Sequence, residues 1–282
     1  MQATAIGTLI SNHPLGWWLA GLVLASLAGP LALWGLRTVR QRGGPLLQRT
    51  LPMAIDPRWA LLAGMLGAAC AMVLAGSVIA ELAESGSEQD GDWGAVDDAI
   101  ANALRLHAAT GVLRFFATLT HLGDTAVLTA LTALVAAGLW WRGHRLLAIG
   151  WLAALAGNGA LTRILKSIFE RARPEHLHHG VAQADGYSFP SGHSSASMVA
   201  YTLLAYLATR LLPPRWHVPC VVLAGMLVFT TGWSRMVLQV HYASDVLAGW
   251  LLGGTWMVCT VLVIESVARW RHRGDVASTT AA

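Results

Sequence analysis

Residues 59–80 read WALLAGMLGAACAMVLAGSVIA, a run without a single charged side chain. A helix rises 1.5 Å per residue, so roughly 20 apolar residues cross the ~30 Å hydrocarbon core of a bilayer. One such run alone would also fit a helix buried in a globular core. This one has company. Residues 17–36 upstream are as long and as apolar, and 125–141, 146–162, 194–209, 218–233 and 246–264 downstream share the character, some a little shorter. Seven such runs in succession exclude a soluble globular chain. Composition agrees: 55% of the residues are hydrophobic and 12% charged, against about 25% charged in a soluble domain. The fold class expected is all-α, a polytopic membrane helix bundle with a six-helix core and one additional N-terminal transmembrane helix.

The net charge of +4 does not indicate a nucleic-acid partner, because topology accounts for where the arginines stand. Arg37, Arg40, Arg42, Arg49 and Arg58 fill the stretch after the first run, and Arg142 and Arg145 the turn after the third. Arg210 and Arg215 follow the fifth run, and Arg269, Arg271 and Arg273 the last. Alternate loops thus carry the positive charge, which marks them as cytoplasmic. The opposite loop, 81–98, holds Glu81, Glu84, Glu88, Asp90, Asp92, Asp97 and Asp98 with no basic residue. The expected protein is a multi-pass protein of the cell (inner) membrane, with its N-terminus outside and its C-terminus cytoplasmic.

The basic stretch 37–58, with Gly43-Gly44-Pro45 in it, is the expected boundary. It divides the chain into an N-terminal transmembrane helix and cytoplasmic loop (1–58), a six-helix domain (59–268) and a cytoplasmic tail (269–282). The first run lacks a basic leader and a small-residue cleavage site, so it reads as a retained span. Pro30 should kink it. Residues 96–122 mix apolar and polar positions at near-helical spacing, as in a helix lying on the membrane surface or a packed loop helix. The tail beyond Arg273 is small and polar and reads as disordered. Cys70, Cys220 and Cys259 lie inside apolar runs and read as inert small hydrophobes.

Chemistry gathers at the ends of the later runs. His241 and Asp245 are four apart, one helical turn, and a carboxylate beside an imidazole fixes its tautomer and leaves the other nitrogen free to attack. An isolated pair of this kind is more often structural. Asp245, however, opens an apolar span, where an ionised group is costly and signals function. Arg235, in Ser234-Arg235, closes the preceding span, so a turn brings it to the same surface. Its planar fork suits a phosphate. Pro190-Ser191-Gly192-His193 opens the fifth run: Ser191 is a helix N-cap candidate, N–H groups at a helix start bind anions, and His193 is placed as a general acid. Lys166 and Arg173 are seven apart, and a helix running on to Pro174 would present both on one face. Arg163, Glu170 and Arg171 read as salt-bridge or interface residues. His176, His178 and His179 read as a solvated loop rather than a metal cluster. With the N-terminus outside, all three clusters fall on the outer side.

In this order, K-x6-R-P, P-S-G-H and S-R-x5-H-x3-D resemble the three-part signature of the type 2 phosphatidic acid phosphatase family, the lipid phosphate phosphatases, which are related to vanadium haloperoxidases. Every signature position is matched between Lys166 and Asp245. The resemblance implies that Lys166, Arg173 and Arg235 hold phosphate oxygens, aided by Ser191 and the Gly192 amide. His241 would be the nucleophile forming a phosphohistidine, Asp245 would orient it, and His193 would protonate the leaving group and later activate water. It implies no metal and no other cofactor. The bilayer and a membrane lipid phosphate would be the partners, with undecaprenyl diphosphate, phosphatidic acid or phosphatidylglycerol phosphate as candidate substrates. A phosphotransferase would use the same residues. A non-enzymatic anion or lipid transporter would use the cations but leaves the histidines without a role. The first span lies outside what the resemblance explains.

Overall fold

The computed structural model describes residues 2–50, 57–87, 92–174 and 184–280. Ten α-helices follow one another among them: α1 (Gln2–Asn12), α2 (Pro14–Thr50), α3 (Pro57–Ser87), α4 (Asp92–His107), α5 (Thr110–Leu119), α6 (Thr125–Trp141), α7 (Arg145–Phe169), α8 (Gly192–Leu211), α9 (His217–Val237) and α10 (Ala243–Thr280). Short 3-10 turns, Thr120–Gly123 and Pro214–Trp216, precede α6 and α9. No strand occurs among the described residues, and the protein is an all-α membrane bundle.

Six stretches are long and apolar enough to cross a bilayer: Pro14–Gly35, Met65–Ser85, Thr110–Trp141, Arg145–Phe169, Pro214–Val237 and Ala243–Arg271. The seventh long helix, α8, is less apolar because Ser194, Ser195 and Ser197 crowd its first turns. It lies inside the bundle, where Ser194, Ser195, Val199, Ala200 and Leu203 are buried. Polar contacts between helices fix its neighbours, since lipid offers the groups no alternative partner. Ser195 Oγ donates to Asn158 Oδ1 at 2.6 Å, Trp151 Nε1 to Thr132 O at 3.0 Å and Trp256 Nε1 to Ala154 O at 2.8 Å.

Helix α10 meets α8 through bare backbone. A methyl group on Gly249 would sit 2.6 Å from Ser191 O, and one on Gly253 2.5 Å from Ser195 O. Two glycines one turn apart therefore let the helices touch at their N-terminal ends, where the motifs are. The additional helix α2 packs on α9, with Trp18 Nε1 donating to Thr230 Oγ1 at 3.2 Å and its ring edge-on to Phe115 and Phe116.

Three local expectations are corrected. The stretch 37–58 is not a simple loop, since α2 runs on through Pro30 and Gly43-Gly44-Pro45 to Thr50. The segment 96–122 is broken, with α4 ending at His107 and α5 starting at Thr110. The tail beyond Arg273 continues α10 to Thr280. At the other terminus, α1 packs against α4, and Ile10 joins Ile100, Leu104 and Met236 in one apolar cluster. The acidic residues Glu88 and Asp90 and the trio His176, His178 and His179 lie outside the described residues.

Candidate active site

Helix α7 stops at Phe169, because Glu170 adopts a left-handed backbone (φ 46°) and closes the helix with its N–H on Lys166 O at 3.1 Å. Lys166 and Arg173 therefore do not share a helical face, as their spacing predicts. Arg173 stands past the end of α7 on irregular residues 170–174, which meet 184–188, with Ser188 N–H on Arg171 O at 2.8 Å. Carbonyl oxygens hold both cations. Lys166 donates to Tyr187 O and, at 3.2 Å, to Ser188 O. Arg173 donates to the carbonyls of Asp185 (3.0 Å), Gly186 (2.9 Å), Tyr187 (3.1 Å) and Val240 (2.6 Å).

Ser191 caps α8, its hydroxyl accepting from Ser194 N at 3.4 Å and Ser194 Oγ at 2.9 Å. With both lone pairs used, its own proton is left to donate. Its N–H reaches Asp245 O at 3.0 Å, which ties the start of α8 to the start of α10. His193 occupies the second position of α8, beside Gly192.

His241 precedes α10 rather than lying on it, so the turn between α9 and α10 places it one step outside the helix that carries Asp245. The pair still meets: His241 Nδ1 donates to Asp245 Oδ2 at 3.2 Å. A carboxylate only accepts, so the proton sits on Nδ1 and the lone pair on Nε2. That lone pair faces Arg173, whose NH1 lies 3.2 Å away. Burial pushes the conjugate acid of His241 down to about 3; Arg173 and Arg235 push the same way and Asp245 opposes them. The ring is a free base at neutral pH. Asp245 is fully buried and doubles as a helix cap, accepting from Tyr242 N at 2.9 Å and from Ser188 Oγ.

Arg171 and Arg173 are two residues apart and do opposite things. Arg171 is buried and satisfied by acids, with NH1 on Asp245 Oδ1 and NH2 on Asp97 Oδ2, both at 2.9 Å. It also donates to Ser244 Oγ at 2.7 Å, lies over the Tyr242 ring, and its partner Asp97 accepts from Ser244 N at 3.0 Å. This is the salt bridge its neighbourhood predicts, but it ends on the orienting carboxylate itself. By contrast, among the described residues no carboxylate lies within ion-pair distance of Lys166, Arg173 or Arg235. Arg235 is 5% exposed, donates through NH1 to Thr120 Oγ1 at 2.8 Å and has an unpartnered Nε. The charges of Arg173 and Arg235 act on Lys166 and on both imidazoles. A buried cation without an acid, as Arg235 is, is expensive. With the half-buried Lys166 and Arg173 beside it, the arrangement offers three positive charges to an anion next to the imidazole.

The motifs miss three participants. Arg171 is hidden inside the first motif, where no spacing separates a structural arginine from a binding one. Asp97 and Asp124 are far off in sequence, and their only signal is a carboxylate near an apolar segment. Asp124 Oδ1 accepts from His193 Nε2 at 2.9 Å.

The model of the PAP2 superfamily matches residues 147–269, the stretch that supplies every histidine and cation of this pocket. Phosphatidylglycerophosphatase B of Bacillus subtilis is 28% identical over 179 residues, 63% of this chain and 87% of the relative. The crystal structure of a transmembrane PAP2-type phosphatidylglycerolphosphate phosphatase from Bacillus subtilis superposes with a TM-score of 0.61 at 27% identity, covering 67% of this chain and 92% of that one. Decaprenylphosphoryl-5-phosphoribose phosphatase of Mycobacterium tuberculosis is 32% identical over 168 residues, 58% of this chain and 84% of the relative. With nearly the whole of such a relative matched, and with the three motifs meeting at one end of a shared bundle, the chain belongs to the PAP2 superfamily.

Proposed function

We propose that the protein is an integral membrane lipid phosphatase that passes a phosphoryl group from a membrane lipid to His241 and then to water. The observation that carries this reading is the set of three acid-free cations around an imidazole already oriented by a buried carboxylate. Lys166, Arg173 and Arg235, with the Ser191 hydroxyl and the Gly192 amide, hold the phosphate oxygens and stabilise charge as it moves, the leading contribution in such transfers. His241 Nε2 forms a bond to phosphorus while the P–O bond to the lipid breaks. His193 gives its proton to the departing oxygen. In the second half it takes a proton from water, whose oxygen attacks phosphorus and releases His241. These groups supply the charges the transfer needs, which supports a metal-independent reaction.

The substrate is a phosphorylated lipid: phosphatidylglycerol phosphate, phosphatidic acid and undecaprenyl diphosphate are the candidates, and both relatives named above are phosphatases of phosphorylated lipids. The pocket opens on the extracytoplasmic face of the inner membrane, with the C-terminus cytoplasmic. Support comes from the arginines at the opposite end of the bundle, where Arg37 meets His217 at 3.1 Å and Arg210 meets Glu265 at 3.2 Å. Residues 59–268 act as the phosphatase core, with 1–58 as an added unit and 269–282 as a tail.

The test is phosphate release by the purified protein in detergent over the candidate lipids. His241→Ala is expected to abolish turnover, and Asp245→Asn to lower kcat by about 10²–10⁴-fold in a folded protein. Vanadate is expected to inhibit and EDTA is not. Turnover surviving in His241→Ala would overturn the reading, and a phosphorylated acceptor in place of free phosphate would mark a transferase.

A further inference from the structure

Asp124 stands outside all three motifs. It is the cap residue between the turn Thr120–Gly123 and α6, with the extended backbone that caps adopt (φ −63°, ψ 142°). An aspartate there ordinarily accepts from N–H groups of the first helical turn. Asp124 makes no such bond. Its oxygens go to imidazoles instead: Oδ1 accepts from His193 Nε2 at 2.9 Å and Oδ2 from His121 Nδ1 at 2.6 Å. Because a carboxylate cannot donate, Nε2 of His193 carries a proton, and Nδ1 is the nitrogen left for other work.

The surroundings fix this arrangement. Gly123 allows the turn to approach His193, since a methyl there would lie 3.0 Å from Cδ2 of the ring and 2.4 Å from Thr231 Cγ2. Tyr201, lower on α8, donates to Leu122 O at 2.6 Å, and Thr120 accepts from Arg235 at 2.8 Å. The turn is thereby pinned to α8 and α9 just ahead of the carboxylate. The other charges acting on His193 are the guanidiniums of Arg235 and Arg173, so Asp124 also supplies the negative charge beside a ring otherwise faced by cations.

We propose that Asp124 is a positioning residue for phosphoryl transfer, holding the His193 ring so that Nδ1 meets the leaving oxygen. The proposal rests on the phosphatase reading, with His193 as the acid. As the P–O bond breaks and the P–N bond to His241 forms, the Nδ1 proton moves to the lipid oxygen, giving an alcohol and a neutral imidazole. The Nε2 proton stays between His193 and Asp124.

The experiment compares kcat/KM for two leaving groups. An alkyl lipid phosphate releases an alkoxide that needs the proton; p-nitrophenyl phosphate releases a stable phenolate that does not. Asp124→Ala is expected to lose about 10²-fold on the lipid and less than about 3-fold on the aryl ester, the size of a general-acid contribution. Asp124→Glu should recover part of the lipid activity. The aryl ester doubles as the control for folding. Equal losses on both substrates, or no loss on the lipid, overturn the role of Asp124. A wild-type protein inert on both substrates overturns instead the phosphatase reading beneath it.

Discussion

Sealed beside Asp245 and Arg173, the His241 ring resists protonation until about pH 3, and this makes the folded protein sensitive to acid. The unfolded chain takes up the same proton near the ordinary histidine value of about 6.5. Stability is therefore whole above that value and falls as the pH drops from there toward the folded value. The thermal midpoint in detergent should fall between about pH 7 and pH 4, and His241→Gln should remove part of the fall. Identical falls in the two proteins would show that the buried ring is not responsible. At this scale the sequence was informative wherever a residue acts through its own chemistry. His241, His193, Asp245, Lys166, Arg173 and Arg235, each marked by its motif, are brought together at one end of the bundle. It was silent where a partner decides the role, as with Arg171 and Arg173, whose difference lies entirely in which of them meets Asp97 and Asp245.

Among the elements, the contact of α8 with α10 bears most directly on the proposed mechanism, because it joins the helix start that carries His193 to the one that carries Asp245. Gly249→Ala would place a methyl 2.6 Å from Ser191 O and push these starts apart. We expect kcat to fall at least about 10-fold, since small displacements of reacting groups are costly. Stability should fall by about 1–3 kcal/mol, the usual cost of overpacking. Gly138→Ala in α6, where an added methyl meets nothing within 4 Å, is the control and should leave both unchanged. Apolar runs revealed that the long helices exist but not where they end. The left-handed Glu170 stops α7 without a glycine to announce it, and α2 and α10 continue into basic sequence that hydropathy alone assigns to loops. The 3-10 turn before α6 has no pattern of its own, so the groups it pins were out of reach.

Viewed whole, the bundle is polar at both ends and differently so: arginines with few acids at one, a phosphate-shaped cluster at the other. If the cluster faces outward, a membrane-impermeant maleimide should label Asp185→Cys on intact cells and Arg215→Cys only after permeabilisation, in a background without Cys70, Cys220 and Cys259. The reverse pattern would invert the topology. Overall architecture was readable from the chain because a bilayer admits few ways to satisfy a backbone. The helical spacing at 96–122 announced a helix there, but neither its break after His107 nor the packing of α1 on α4 was readable, because nothing in a short amphipathic stretch names what packs on it. That layer meets the start of α10 through Asp97, which accepts from Ser244 and shares Arg171 with Asp245. Anyone grafting a foreign α4 onto this scaffold to change its lipid preference must therefore bring an acid to position 97. Without one, Arg171 loses the carboxylate beside its NH2, and the disturbance is felt at Asp245 and His241 rather than in the transplanted helix.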